Sequence, residues 1–568
     1  MPNSLARAAA FALACVLACG AGAAPCAAQQ TAPPKEAPAT VAGRVTNGEK
    51  GMPGVEIVLT MPDQTSNYKS AARVSTDAEG RFRLTGVAPG RYHLMPVAPA
   101  HVVSDLGSGW PPGRPITLSP GDTVEDFNFT LTRGGVITGR VTDSEGKPVI
   151  GEQVNILSAD KSQRPMSFFI GQRNRTDDRG VYRAYGLAAG RYRVSVGQDR
   201  NSGNISVGGP RRFYRRTFHP DATEEAQAKI IELREGGEVT EVDISVPKAS
   251  RTFKAEGRFV SAETGQPMPG LQFAFGALIP GGEGGNRRVG SYGSTGQRTN
   301  ARGEFVLDEL PPSTYAIFAV SDENVEWYSD TATVDIEDAD VTGLEIKIHR
   351  GASVNGVVQI EGVRDRAAYA KLLQQVPLAR HVETGNALAA PSWSRLVIAP
   401  DGSFRIGGLR PGKLRLMLGW PQVKGLSMVR IERDNVEARD GIEITEAANI
   451  SGVRVLLAYG NAVIRGQVNV TGGTLPQGAR LMVSARRAGT NTSGPMPMGM
   501  QPAEVDTRGR FTIEGLAAGE YELQLRLFGP NVPNAPPLKQ NVSVPEGGES
   551  AVTFALNLAT FNKGDTTP

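Results

Sequence analysis

The chain is poor in the residues from which catalytic centres and covalent cross-links are usually built. Its three cysteines, Cys15, Cys19 and Cys26, all lie near the N-terminus, so no disulfide joins anything downstream and no cysteine nucleophile is at hand there. The five histidines, His93, His101, His219, His349 and His381, are scattered, and no two stand within a helical turn of each other. Neither H-x-x-E nor H-E-x-x-H occurs, which leaves a zinc peptidase without its ligands, and no G-x-S-x-G elbow is present for a serine hydrolase. Charge of one sign is also missing: 61 basic residues face 58 acidic ones, a net charge of +3 that argues against a nucleic-acid partner. Beyond the N-terminus no apolar run approaches the about 18 residues that a membrane span requires.

What the chain has is repetition. A turn of the form T-D-x-x-G, an aromatic strand, a G-L-x-P-G turn and a tyrosine recur five times, from Thr76 to Tyr92, Thr176 to Tyr192, Thr299 to Tyr315, Pro400 to Leu414 and Val505 to Tyr521. In every copy the turn glycine (Gly80, Gly180, Gly303, Gly402, Gly509) precedes the closing residue (Tyr92, Tyr192, Tyr315, Leu414, Tyr521) by twelve positions. Such constancy implies a hairpin of fixed register, because a slip of one residue turns every side chain to the wrong face. Pro89-Gly90 and Pro411-Gly412 suit a type II turn. The tyrosine is expected to bury its ring and bond its hydroxyl near a loop.

Upstream of each unit lies an alternating strand around a glycine: Gly43, Gly139, Gly257, Gly356 and Gly466. Downstream lies a strand apolar at every second position: Phe127, Phe129, Leu131; Val242, Ile244, Val246; Leu344, Ile346, Ile348; Val453, Val455, Leu457; Val552, Phe554, Leu556. Period-two alternation with one buried face implies antiparallel sheets, and a repeat of roughly 100 residues matches one seven-strand sandwich. The expected fold is all-β, a tandem array of five Ig-like antiparallel β-sandwiches. Its parts are a signal peptide (1–28), a linker (29–39), sandwiches at 40–133, 134–249, 250–350, 351–459 and 460–560, and a tail (561–568). Very short linkers imply a semi-rigid, extended array. In the fourth sandwich Tyr369, Leu372, Leu373 and Val376 fall at helical spacing, predicting a short helix inside an insertion at 364–393.

The N-terminus reads as an export signal, with Arg7 before an apolar run from Ala8 to Leu17 and small residues up to Ala28. A periplasmic or extracellular location follows. Val16-Leu17-Ala18-Cys19 resembles a lipobox, with Leu17 where a small residue is usual, so a lipid anchor at Cys19 is the alternative.

The combined pattern resembles the carboxypeptidase regulatory-like domain, a transthyretin-like member of the carbohydrate-binding-like and prealbumin-like sandwich folds. The residues that carry the match are G-R-V-T followed by G-x-P, at Gly43 to Pro53 and Gly139 to Pro148. The third repeat keeps Gly265-Gln266-Pro267, and the last two lose the segment. This resemblance implies a fold and a spacer, adhesive or regulatory role, not an activity. No cofactor is expected, and with the sequence running out at Pro568 no attached peptidase or barrel is expected either.

Candidate binding residues are few. Sugar sites on sandwiches use aromatic platforms, for which Trp110, Trp327, Tyr328, Trp393 and Trp420 are the candidates; each tryptophan is weighed against the plain alternative of covering its own core. Arg211 to Arg216 interleaves arginines with Phe213 and Tyr214, a pattern that suits an acidic polymer or a solvated loop with inward aromatics. The turn carboxylates Asp77, Asp177, Asp178, Asp401 and Asp506 invite a calcium reading. However, each turn supplies a single such position where calcium takes six to eight oxygens, so Asx turns are expected. The resulting expectation is a non-enzymatic exported scaffold or adhesive binder. A polysaccharide or an envelope protein would be its partner, with a regulatory companion of a separate peptidase as the weaker alternative.

Overall fold

The computed structural model describes residues 37–561 apart from 62–69, 104–112, 161–173, 199–212, 280–287, 321–324, 385–393, 420–422, 477, 489–501, 530–531 and 533–534. The signal-like N-terminus, Trp110, Trp393, Trp420 and the Met-rich run at 495–500 therefore lie outside the described residues. What is described is almost wholly β. Each repeat forms two sheets that face each other across one apolar cluster, and five such clusters are present among the described residues. The alternating residues of the closing strands fill them: Phe129, Ile244, Ile346, Val455 and Phe554 are all buried.

The first strand of each repeat (Ala39–Asn47, Gly135–Asp143, Phe253–Ser261, Ala352–Glu361, Ala462–Thr471) organises one sheet. It pairs antiparallel with the aromatic strand, and its glycine stands opposite the aromatic residue in every case: Gly43 to Phe82, Gly139 to Tyr182, Gly257 to Phe305, Gly356 to Phe404 and Gly466 to Phe511. On its other side the closing strand runs parallel to it, as in Val141 to Ile244 and Val468 to Phe554. One sheet of each sandwich is therefore mixed, not purely antiparallel. Alternation records which face is buried and is blind to strand direction.

The T-D-x-x-G turn is not a hairpin. In the first repeat Ser70–Ser75 pairs with Glu56–Thr60 in one sheet, whereas Arg81–Val87 pairs with the first strand in the other. The turn thus arches between the two sheets, and the next turn arches back, since Gly90–Val97 rejoins the sheet of Glu56–Thr60. The twelve-residue constancy is the length needed to cross the core and return. The turn glycines do adopt positive φ, from +71° at Gly303 to +88° at Gly402. Gly90 and Gly412, at φ +155° and +146°, depart from the about +80° of a type II turn. As expected, the tyrosine closes the arch: the hydroxyls of Tyr92, Tyr192, Tyr315 and Tyr521 donate to the carbonyls of Ala88, Ala188, Pro311 and Ala517 at 2.8, 2.8, 2.8 and 3.0 Å.

The predicted helix forms at Arg366–Gln375, its N-cap Asp365 accepting from Ala368 N at 2.6 Å. Leu372, Leu373 and Val376 join the core of the fourth repeat, with Tyr369 packed beside them, so the helix serves its own sandwich.

Three of the four joints between repeats share one construction. A linker glycine, Gly134, Gly351 or Gly460, donates its N–H to the preceding repeat, at Ala100 O, Glu326 O or Gly425 O (2.9, 2.8 and 2.9 Å). A second glycine, one residue before the aromatic strand's last buried side chain (Leu187, Leu409 or Leu516), then lies directly under that preceding repeat. A Cβ on Gly186 would meet Pro99 O at 2.4 Å, one on Gly408 would meet Trp327 O at 2.5 Å, and one on Gly515 would meet Gly425 N at 2.6 Å. All three also hold positive φ, so both conformation and space require glycine. The joint between the second and third repeats departs from this plan. There the equivalent residue is Glu309, exposed at φ +59°, and Phe213 bridges to Ser250 instead.

At the joint of the third and fourth repeats Glu326 pairs with Arg405, with Nη2 3.0 Å from Oε2. The hydrogen bond from Arg405, aided by the charges of Arg405 and Arg350, holds the Glu326 carboxyl below its ordinary value of 4.5 against the opposing effect of burial. A depressed folded-state pKa means that the pair's contribution is complete above pH 4.5 and is lost as the pH falls through the lowered value. Acid titration of stability should therefore show a loss below pH 4.5 that Arg405→Ala lacks. Parallel titration curves for the two proteins would contradict it.

Candidate functional site

The two aromatic candidates within the described residues sit in a joint. Trp327 is half-buried against the core of the third repeat, and the ring of Tyr328 stacks on His349 at 5.1 Å with Arg410 5.7 Å from its centre. In the basic-aromatic segment Tyr214 is buried in the second core and Arg215 approaches Glu224 at 3.9 Å. The turn carboxylates bond backbone amides: Asp77 accepts from Glu79 and Arg81, Asp177 from Arg179 and Val181, and Asp401 from Ser403. Among the described residues no group of three or more His, Cys, Asp or Glu side chains comes together as a metal site would require.

Asp506 does something its counterparts do not. Its Oδ1 caps Arg508 and Arg510 as in the other turns, while its Oδ2 accepts from Thr117 N of the first repeat at 3.1 Å. Its side chain is 1% exposed, against 38% for Asp177. Around this bond the first and fifth repeats meet edge to edge. Arg508 donates to Thr117 O, Arg510 pairs with Asp122 at 3.1 Å, and His93 Nε2 lies 3.0 Å from Glu504, whose other oxygen takes Arg480 at 3.2 Å. The array is therefore not extended: its first sandwich returns to its last.

That return encloses a cleft of about 320 Å³ where the first, fourth and fifth repeats converge. Its floor is the outer face of the fifth repeat, where period two places Val463 and Arg465 opposite Glu514 and Thr512 in register, while Ile464, Phe511 and Ile513 point into the core. One wall is the strand Arg114–Leu118 of the first repeat, through Thr117 and Leu118, with Pro89 and Gly90 beside it. Lys424, Tyr459 and Asn461 close the other side. The charges are matched within the chain, Lys424 with Glu514 at 2.6 Å and Arg465 with Glu549 at 3.0 Å. Next to the wall, burial pulls the Arg91 guanidinium below its ordinary value while the charge of Glu514 opposes the shift. Sequence reasoning did not single out this cleft, because threonine, asparagine and tyrosine on a β-array are unremarkable until three repeats bring them together.

Residues 40–132 match the carboxypeptidase regulatory-like domain. The first repeat is thus a sandwich of that class, and the remaining repeats elaborate the same two-sheet plan. No curated protein matches the chain. Among solved structures, a streptococcal ancillary pilin is 12% identical, with 55% of this chain and 99% of that one covered at a TM-score of 0.23. The Bacillus anthracis TIE protein is 12% identical over 93% of this chain and 76% of its own, at a TM-score of 0.14. The major pilin subunit BcpA of Bacillus cereus is 13% identical over 55% and 99%, at 0.15. Likenesses this low leave the function of the chain untouched.

Proposed function

We propose that the protein is an exported, non-enzymatic scaffold or adhesive binder of the cell envelope, its repeats acting as domains with the boundaries 40–133, 134–249, 250–350, 351–459 and 460–560. The observation that carries this reading is the glycine-locked joint at three of the four junctions, a device that sets the mutual geometry of sandwiches and positions no reactive group. Partner binding then falls to surfaces that several repeats build together. A polysaccharide or an envelope protein is the partner of this reading. Loop aromatics remain its alternative sugar contacts, namely Trp327 and Tyr328 at the joint together with Trp110, Trp393 and Trp420.

The test is co-sedimentation of the chain from residue 29 onward with insoluble polysaccharides and with isolated envelope fractions. Saturable pelleting with unchanged ligand is the expected result. Conversion of any ligand to product, or no pelleting with either material, would overturn the proposal.

A further inference from the structure

The cleft between the first, fourth and fifth repeats sets neutral polar side chains beside charges that are already matched. Its two cations each hold a carboxylate, so no net charge is left to draw an ionic ligand. By contrast, Thr117, Thr512, Tyr459 and Asn461 line the same space with neutral hydroxyl- and amide-bearing side chains. Thr117 and Thr512 sit where the first and fifth repeats meet and are 5% and 4% exposed. Neutral donors and acceptors converging on one cavity at a domain junction mark a place suited to a polar, uncharged ligand. Hydroxyls and an amide both donate and accept, and a tyrosine edge adds an apolar surface.

We propose that this cleft binds a neutral polyhydroxyl ligand, one or two sugar units of an uncharged glycan, with Thr117, Tyr459, Asn461 and Thr512 as its contacts. The volume, about 320 Å³, falls at the lower end of the about 300–1,000 Å³ usual for small-molecule pockets. Inter-domain junctions are where such pockets preferentially occur. The inference rests on the polysaccharide form of the proposed function and gives it a location away from the tryptophans. It also couples binding to closure, because Thr117 is held in place by Asp506.

The probe is a set of neutral hexasaccharides, cello-, xylo-, malto- and chitohexaose, titrated calorimetrically into the chain from residue 29 onward. At least one should bind, with little dependence on salt. Thr512→Val, which keeps shape and removes the hydroxyl, and Asn461→Ala, at an exposed position, should each weaken it about tenfold, the loss of one to two neutral hydrogen bonds. Asp506→Ala should weaken binding through displacement of the wall, whereas Asp77→Ala should not. Absence of binding by all four sugars, or binding insensitive to Thr512→Val and Asn461→Ala, would overturn the assignment. If these variants still pellet with envelope material, the broader function stands and only the cleft fails.

Discussion

Alanine at Gly139 is expected to unfold the second repeat or to lower its stability by about 3 kcal/mol, the upper end of what overpacking usually costs. The added methyl would meet Val242 O at 2.1 Å and its carbonyl carbon at 2.4 Å, and both are backbone atoms of the adjoining closing segment. No flexible side chain can move aside. Tyr182, which stands opposite Gly139, donates its hydroxyl to that same carbonyl at 2.7 Å, so any backbone retreat also breaks a buried hydrogen bond. The matched control is Gly54→Ala, where nothing lies within 4 Å of the new methyl and only the positive φ of +71° is penalised, at about 1 kcal/mol. Chemical denaturation of the two variants decides the matter. Equal losses would show that the strand glycines serve conformation, not close approach. The same crowding recurs at Gly43, facing Phe127 O at 2.2 Å, and at Gly466, facing the Phe511 ring at 2.0 Å, so the result carries over to other repeats.

Asp506→Ala is expected to part the first and fifth repeats, and Asp77→Ala is not. Both variants lose the two amide caps of the turn, worth about 1 kcal/mol in an exposed setting. Only the former also strips Thr117 N of its acceptor and leaves Arg508 facing Thr117 O without its carboxylate, adding about 2 kcal/mol at a buried position. Small-angle scattering reads the outcome directly. The maximum dimension should grow for Asp506→Ala and stay at the parent value for Asp77→Ala. Indistinguishable scattering from the two would mean that the remaining contacts, Arg510 with Asp122 and His93 with Glu504, hold the edge unaided.

How far the fold could be read from the sequence follows from what each signal encodes. Residues whose role is local were legible: the turn glycines, the tyrosines that bond four residues back, the alternating core of the closing strands, and the helix at Arg366–Gln375. Strand partners were not, because alternation reports burial alone, and so a crossing between sheets passed for a hairpin. The return of the first repeat to the fifth had no signature either, since Asp506 occupies the same motif position as Asp77 and only its second oxygen differs in use. One signal was available and went unread. The residue before the last buried side chain of each aromatic strand (Val87, Leu187, Leu310, Leu409, Leu516) is Gly86, Gly186, Glu309, Gly408 or Gly515, and the glutamate marks the one joint built differently. As for the cleft, its contacts come from three repeats, and no linear spacing joins Thr117 to Thr512.

That odd joint also ranks the molecule's responses to force. When the ends are pulled apart, the polar edge between the first and fifth repeats bears the load first, and its few bonds release in sequence. Tension then passes to the four junctions, three of which would have to withdraw a glycine from beneath a neighbouring backbone. The junction at Ser250 has no such key to withdraw. The junction at Ser250 is therefore the one expected to open first under load. Reclosure would need no covalent chemistry, since the folded repeats contain no cysteine to be reduced or reshuffled on the way.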